Sequence, residues 1–140
     1  MYNQYCKDYE VKPSFSKEFI SLWPGWLGPK KSHKLDDVTQ DEWARFNGLI
    51  RTLSEKYIFK IVSHEHQEIT PIKDIENSLA TYEESMNKDS SLFTLYLLSE
   101  LDCLIEEHWD YTYIIWHKGN GAVEKLASAI KTAKLYHFKN

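Results

Sequence analysis

The amino-acid sequence predicts an α+β fold, in which an antiparallel sheet of four or five strands packs against two or three helices. Three strand-like runs lie close together between residues 92 and 116, and connections this short join antiparallel neighbours. Segments with helical spacing of apolar residues occur at about 40–55 and 121–133, and their apolar faces would pack on the sheet. Helices packed on one antiparallel sheet form an α+β layer architecture.

The first 38 residues are the least regular part of the chain. Residues 1–12 are polar with scattered tyrosines, which indicates an arm or a short edge strand. The apolar residues between Phe15 and Trp23 predict a short strand or a helical turn. Two prolines and two glycines then interrupt regular structure between Trp23 and Pro29. The resulting loop continues to about Val38, and long loops of this kind often carry function.

The middle of the chain begins with a well-marked helix. Thr39 and Glu42 have the spacing of a capping box, and apolar residues recur at helical spacing over about 40–55. Residues 57–62 are rich in β-branched and aromatic side chains and predict a strand. Thr70-Pro71 predicts the start of a second helix, whose core-facing side would carry Ile72, Ile75, Leu79 and Tyr82.

The last third of the chain predicts a meander followed by a helix. Strands are expected over 92–98, over 101–105 and over 111–116, and the second of these is expected to have one solvent-exposed face. Asn120 would cap a helix over about 121–133. Residues 135–138 predict a final edge strand.

Length and composition indicate one cytoplasmic domain spanning residues 1–140. A chain of 140 residues can bury a core without disulfides, so Cys6 and Cys103 are expected to be reduced thiols. The first twenty residues are charged and contain no apolar run of signal-peptide length. No stretch approaches the roughly 20 apolar residues of a membrane helix, so no membrane partner is expected.

Charge is distributed unevenly, although the net charge is only −4. Between His64 and Asp110 two lysines oppose twelve acids, a net charge of −10, whereas from Tyr111 to Asn140 five lysines oppose one acid, a net charge of +4. A surface polarised in this way repels nucleic acid on its acidic side and attracts a basic protein. The alternative explanation is a set of solvated helix and hairpin faces.

No pattern in the sequence is a strong catalytic or metal signature. His64 and His66, with Glu68 nearby, could share a strand face and hold a metal, but surface histidines in a polar loop explain them better. Cys6 and Cys103 lack a CxxC motif and an assignable base, so neither is supported as a nucleophile. The sequence therefore favours a protein that is not an enzyme and predicts no metal and no cofactor.

A second candidate site is the loop between Trp23 and Lys34, which combines aromatic rings with cations. Such a mixture can stack a base or a sugar and bind phosphate, although the tryptophans could instead fold inward and pin the loop. The alternative function is therefore a small-ligand module for a nucleotide or sugar, with contacts from Trp23, Trp26, Lys30, Lys31 and Lys34.

Acidic hairpins with many aromatic residues give the last third of the chain a resemblance to small bacterial immunity proteins. The resemblance is carried by residues 98–116, by Gly121–Glu124 and by Leu135–Phe138. Proteins of that group are cytoplasmic antidotes that bind and block a cognate toxin, often a nuclease. The resemblance implies an inhibitor whose acidic surface covers the electropositive site of such a toxin.

The leading expectation is therefore an inhibitory binding protein whose partner is a toxin with a basic surface. Charge would supply association rate and orientation, and buried aromatic rings would supply affinity. The same acids could instead form a solvated acidic hairpin. An active site on Glu106 and His108, which would need two groups in different environments, ranks third after the small-ligand module. The expected contacts are Glu100, Asp102, Glu106, Glu107, Trp109 and Asp110.

Overall fold

A computed structural model describes residues 1–87, 89, 93–119 and 121–139. Its strands are β1 (Cys6–Lys7), β2 (Glu10–Val11), β3 (Ser16–Ser21), β4 (Lys60–Ser63), β5 (Glu68–Pro71), β6 (Leu95–Leu98), β7 (Cys103–His108), β8 (Thr112–His117) and β9 (Tyr136–Phe138). Its α-helices are α1 (Tyr2–Tyr5), α2 (Gln40–Ser54), α3 (Tyr82–Asn87) and α4 (Ala122–Thr132). Turns of 3₁₀ helix occupy Pro29–Asp37, Ile75–Ser78 and Ser99–Leu101.

One antiparallel sheet organises the α+β fold, and it is larger than predicted. It has seven strands in the order β5-β4-β6-β7-β8-β3-β9, and β1 and β2 form a separate two-stranded sheet. The predicted four or five strands were therefore wrong. The difference arises at the two edges, where the β4–β5 hairpin joins one side and β3 inserts between β8 and β9 on the other. Residues 15–23 thus contribute a strand and not a helical turn.

Helices α2 and α4 cover one face of the sheet, as predicted. Thr39 and Glu42 form both halves of the capping box at the start of α2, because the threonine hydroxyl accepts from the Glu42 amide at 3.1 Å and the glutamate accepts from the Thr39 amide at 3.1 Å. Gly121 precedes α4 with a φ of +84°, a backbone conformation that suits glycine. The predicted cap Asn120 lies outside the described residues.

The other face of the sheet is partly covered by the N-terminal segment. Helix α1 and the β1–β2 hairpin pack there with Phe15 against Val62, Leu95 and Leu104. Asp8 and Tyr9 both have positive φ in the two-residue hairpin turn, the conformation of a turn that matches strand twist. Because this segment covers Leu104, the start of β7 is buried on both faces. The solvent-exposed face that the sequence predicted begins only after Ile105.

The helix predicted from Thr70-Pro71 was wrong. Thr70 and Pro71 end the edge strand β5, where proline is tolerated because one side of an edge strand needs no donor. Ile72, Ile75 and Leu79 still pack against the core, but from a loop and a 3₁₀ turn. Within the described part of the chain, no helix is long and apolar enough to cross a membrane.

Candidate functional site

The six predicted contact residues do not share one surface, because β7 separates them. Glu100 and Asp102 precede this strand, and Trp109 and Asp110 follow it. Six residues of strand span about 20 Å at about 3.3 Å each. We call the residues at the β7–β8 end, Glu106, Glu107, Trp109 and Asp110, the turn surface, and those at the opposite end, Glu100 and Asp102, the far end.

The two far-end carboxylates hold other parts of the chain in place. Glu100 accepts a hydrogen bond from the Ile58 amide at 2.6 Å, which ties the segment after α2 to the sheet. Asp102 accepts from the Tyr5 hydroxyl at 2.9 Å, which anchors the N-terminal segment. Asp102 also has a φ of +49°, a conformation in which aspartate is among the better-tolerated residues. Both acids therefore have structural partners.

Within the turn surface, Glu106 and Glu107 point to opposite faces of the sheet, as alternation along a strand requires. Glu106 accepts from the Trp116 indole at 3.0 Å on the face that carries the N-terminal segment. Glu107 accepts from the Thr94 amide at 2.7 Å. Each glutamate thus fixes a neighbouring side chain or strand.

Trp109 and Asp110 project from the tip of the β7–β8 hairpin. Asp110 and Tyr111 have positive φ values of 58° and 56°, and this tight three-residue connection leaves Trp109 52% exposed. The Trp109 ring packs edge-on against Phe93 at 4.8 Å between centroids. A large exposed ring held by a neighbouring ring is a feature of protein-binding surfaces.

Two concavities meet at this hairpin, one on each face of the sheet. A groove of about 1000 Å³ runs over the face with the N-terminal segment, and a pocket of about 330 Å³ lies on the helix side. Phe93, Glu107, His108 and Trp109 line both. The charged side chains in the described lining of the groove are mostly acidic. Lys17 is accompanied there by Glu10, Glu65, Glu106 and Glu107.

The positive charge of Lys17 is confined to one place in the groove, because its ammonium lies over the Trp116 ring at 5.1 Å from the centroid. Trp116 in turn donates to Glu106 from the edge of its ring, so Lys17, Trp116 and Glu106 form one connected group in the lining of the groove. The remaining acids at the rim, Glu10 and Glu65, are exposed. The groove is therefore an amphipathic, net acidic surface that suits a basic chain.

The alternative site around Trp23 and Trp26 forms a smaller pocket of about 280 Å³. Trp26 is 49% exposed and packs between Phe19 and Phe138, with centroids at 4.6 and 5.1 Å. Lys30, Lys31 and Lys34 are exposed on the 3₁₀ turn, but the charged residue among the described pocket-lining residues is Asp110. A carboxylate at this position opposes a phosphate, so the nucleotide alternative stays a prediction that this geometry does not strengthen.

His64 and His66 occupy the β4–β5 hairpin loop and not a strand face. His64 Nδ1 lies 2.6 Å from the Tyr2 hydroxyl, and the two rings meet edge-on. His66 is exposed, and its Nε2 lies 4.0 Å from a Glu65 carboxylate oxygen. No group of three or more His, Cys, Asp or Glu side chains that could hold a metal ion occurs in the described ranges.

A buried carboxylate that the sequence reasoning missed is Glu18 in β3. Its Oε2 lies 3.0 Å from His117 Nε2, and its Oε1 lies 3.7 Å from His137 Nδ1. The Gly119 amide donates to His117 Nδ1 at 3.0 Å, so the imidazole proton is on Nε2 and points at Glu18. Both ring nitrogens are thus occupied, and the cluster joins β3, β8 and β9. The sequence carried a signal for the burial of Glu18, because it lies two residues before the apolar Ile20 and alternation along a strand places both side chains on the same face.

The two thiols are buried. Burial raises the pKa of Cys6 to about 11, and the nearby Glu106 carboxylate contributes. Burial raises the pKa of Cys103 to about 12, with a smaller contribution from Asp102. A thiolate is the nucleophilic form of cysteine, so these pKa values describe inert core residues.

No protein-family model, curated protein or solved structure matches the chain.

Proposed function

We propose that the protein is a non-catalytic inhibitor of the immunity type, which binds a basic, nuclease-type toxin protein through the turn surface and the adjoining groove. The observation that carries the proposal is the meeting of an exposed tryptophan with acids on both faces of one hairpin. Trp109 is 52% exposed. It lines the groove together with Glu106 and Glu107, and the pocket together with Glu107 and Asp110.

The energetics of recognition favour this arrangement for a protein partner. Aromatic residues at the centre of an interface commonly supply most of the affinity, and surrounding charges supply association rate and orientation. Trp109 has the central position, since it lines both the groove and the pocket. A nuclease site is electropositive because it holds phosphates, so an acidic face competes directly for that charge.

The structure also changes which residues we propose as contacts. Glu100 and Asp102 are removed from the proposed interface, because they lie at the opposite end of β7 from Trp109, about 20 Å away along the strand. Glu10 and Glu65 are added, because they are exposed at the rim of the groove. The proposed interface therefore keeps Glu106, Glu107, Trp109 and Asp110 from the sequence prediction.

Affinity capture with a matched control variant tests the proposal. The test variant is Trp109→Ala with Asp110→Asn, and the control is Trp26→Ala with Asp102→Asn. Both lose one carboxylate and one half-exposed tryptophan, since Trp109 is 52% and Trp26 49% exposed. Asparagine keeps an acceptor and tolerates the positive φ at both acidic positions.

The wild type and the control should capture the same basic protein from host lysate, and the test variant should lose it. Addition of the wild type should suppress the activity of the captured protein, and co-expression should protect cells from it. Equal capture by the test variant, an acidic captured protein, or unchanged activity of that protein would each contradict the proposal.

A further inference from the structure

The pocket of about 330 Å³ under the β7–β8 hairpin shares only part of its lining with the groove. It lies between the 3₁₀ turn Pro29–Asp37, helices α2 and α3, and the hairpin. A volume near the lower end of the range for ligand sites suits one small organic group. Its described lining includes six aromatic rings, from Trp43, Phe46, Phe93, Trp109, Tyr111 and Tyr113.

These rings are held in place by contacts with one another. Phe46 and Tyr113 lie 4.8 Å apart between centroids, as do Phe93 and Trp109. Trp43 meets Tyr82 edge-on at 5.9 Å. A wall of paired rings loses little conformational entropy when a ligand enters, so the pocket is preorganised.

Carboxylates complete the wall on the side of the hairpin. Asp36, Glu107 and Asp110 line the pocket, and no Lys or Arg does so among the described residues. The pKa of Tyr111 is raised to about 12, chiefly by burial and by its hydrogen bond with Tyr82, with smaller contributions from Asp36 and Asp110. Both aspartates line this pocket, from two different elements of the chain.

We infer that this pocket binds an organic cation, with an alkylammonium or guanidinium group enclosed by the rings and opposed by Asp36 and Asp110. The negative faces of aromatic rings attract cations, and nearby carboxylates favour the same charge. The inference rests on the proposed function for the source of the cation, which is a lysine or arginine side chain of the basic partner.

Binding of small probes tests the pocket without the partner. Butylammonium and N-methylguanidinium are titrated into the protein, and amide and indole shifts are followed by NMR. Butanol and N-methylurea serve as neutral probes of similar shape. Affinity for the cations should be on the order of millimolar, with shifts at Trp43, Trp109 and Tyr111, and the neutral probes should bind about tenfold more weakly.

Isosteric variants separate a specific site from general attraction. Asp36→Asn with Asp110→Asn should weaken cation binding about tenfold, whereas Glu100→Gln with Asp102→Asn should leave it unchanged. The two variants lose the same charge, and asparagine and glutamine preserve the acceptors for Ile58 and Tyr5. Equal binding of neutral probes, shifts outside the pocket, or equal weakening by both variants would overturn the site.

The source of the cation is tested with capped Gly-Lys-Gly and Gly-Arg-Gly peptides. Peptides that bind at least as tightly as the free amines support a protein side chain, and binding of free amines alone overturns that assignment. Failure of the site is distinguishable from failure of the proposed function. If the Asp36/Asp110 variant binds the captured toxin as tightly as the wild type does, the pocket does not take a side chain of the partner and the inhibitor proposal stands. If the pocket binds cations but no inhibited partner is found, the cation site stands and the inhibitor proposal fails.

Discussion

The titration of Cys103 provides a sharp test of how the core is assembled. This thiol is fully buried at the start of β7, in the cluster that α2 and α4 cover. Burial, with a smaller contribution from Asp102, raises its pKa from 9.0 to about 12. Cys103→Ala removes the titrating group, and Val123→Ala is the control that removes buried side-chain volume from the same cluster without removing a titrating group, since Val123 is 7% exposed.

The expected magnitude follows from the two pKa values. Because the pKa is raised in the folded state, the stabilisation is complete below the unfolded pKa of 9.0 and is lost as pH rises toward about 12. At about pH 11 the thiolate form of an unfolded cysteine outnumbers the thiol form roughly 100-fold, whereas the folded Cys103 is mostly protonated. This difference lowers the free energy of unfolding by about 3 kcal/mol. Tyr96, whose pKa burial raises from 10.0 to about 12, adds about 1 kcal/mol to the loss at that pH.

Urea unfolding at about pH 8 and about pH 11 measures this loss. The wild type and Val123→Ala should lose stability steeply over that interval, by at least about 4 kcal/mol from these two groups. In Cys103→Ala the loss should be smaller by about 3 kcal/mol, although the variant starts from a lower stability at about pH 8. If Cys103→Ala and Val123→Ala show the same pH dependence, the thiol does not titrate from a buried, protonated state and the reasoning is refuted.

Two further predictions concern anchoring contacts. Thr39→Ala removes the hydroxyl that caps α2 at 3.1 Å and should lower the free energy of unfolding by about 1 kcal/mol in urea, with Thr39→Ser as the control that retains the cap. Tyr5→Phe removes the donor to Asp102 at 2.9 Å and should cost about 1 kcal/mol, with faster hydrogen exchange in β1 and β2 but not in α4; unchanged exchange in the hairpin would contradict the anchoring role.

Features that depend on neighbours in sequence could be predicted well. The capping box of α2, the amphipathic stripe of α4 and the β7–β8 hairpin each follow from residues a few positions apart. The place of β3 in the sheet could not be predicted in this way. Ser16 pairs with His117, and Phe19 pairs with Phe138, and no local pattern specifies pairing partners separated by about a hundred residues.

The helix predicted from Thr70 shows a different limit. Ile72, Ile75, Leu79 and Tyr82 repeat at three- and four-residue intervals, which a helical face requires. An irregular segment that crosses the core also has to place an apolar side chain inward every few residues. Ile75 does so from a 3₁₀ turn and Ile72 from a loop. The spacing of apolar residues therefore indicated which side chains are buried, but not that the backbone is helical.

The acidic run illustrates why composition alone does not define an interface. Glu100 and Asp102 belong to the same charged segment as Trp109 and Asp110, yet a strand of about 20 Å lies between the two pairs. The first pair accepts hydrogen bonds from Ile58 and Tyr5, so part of its acceptor capacity is used by the fold. Asp110, in contrast, lies at the tip of a hairpin beside an exposed ring. Charge that holds the fold and charge that can meet a partner are indistinguishable in the sequence, because strand length and side-chain alternation decide which is which.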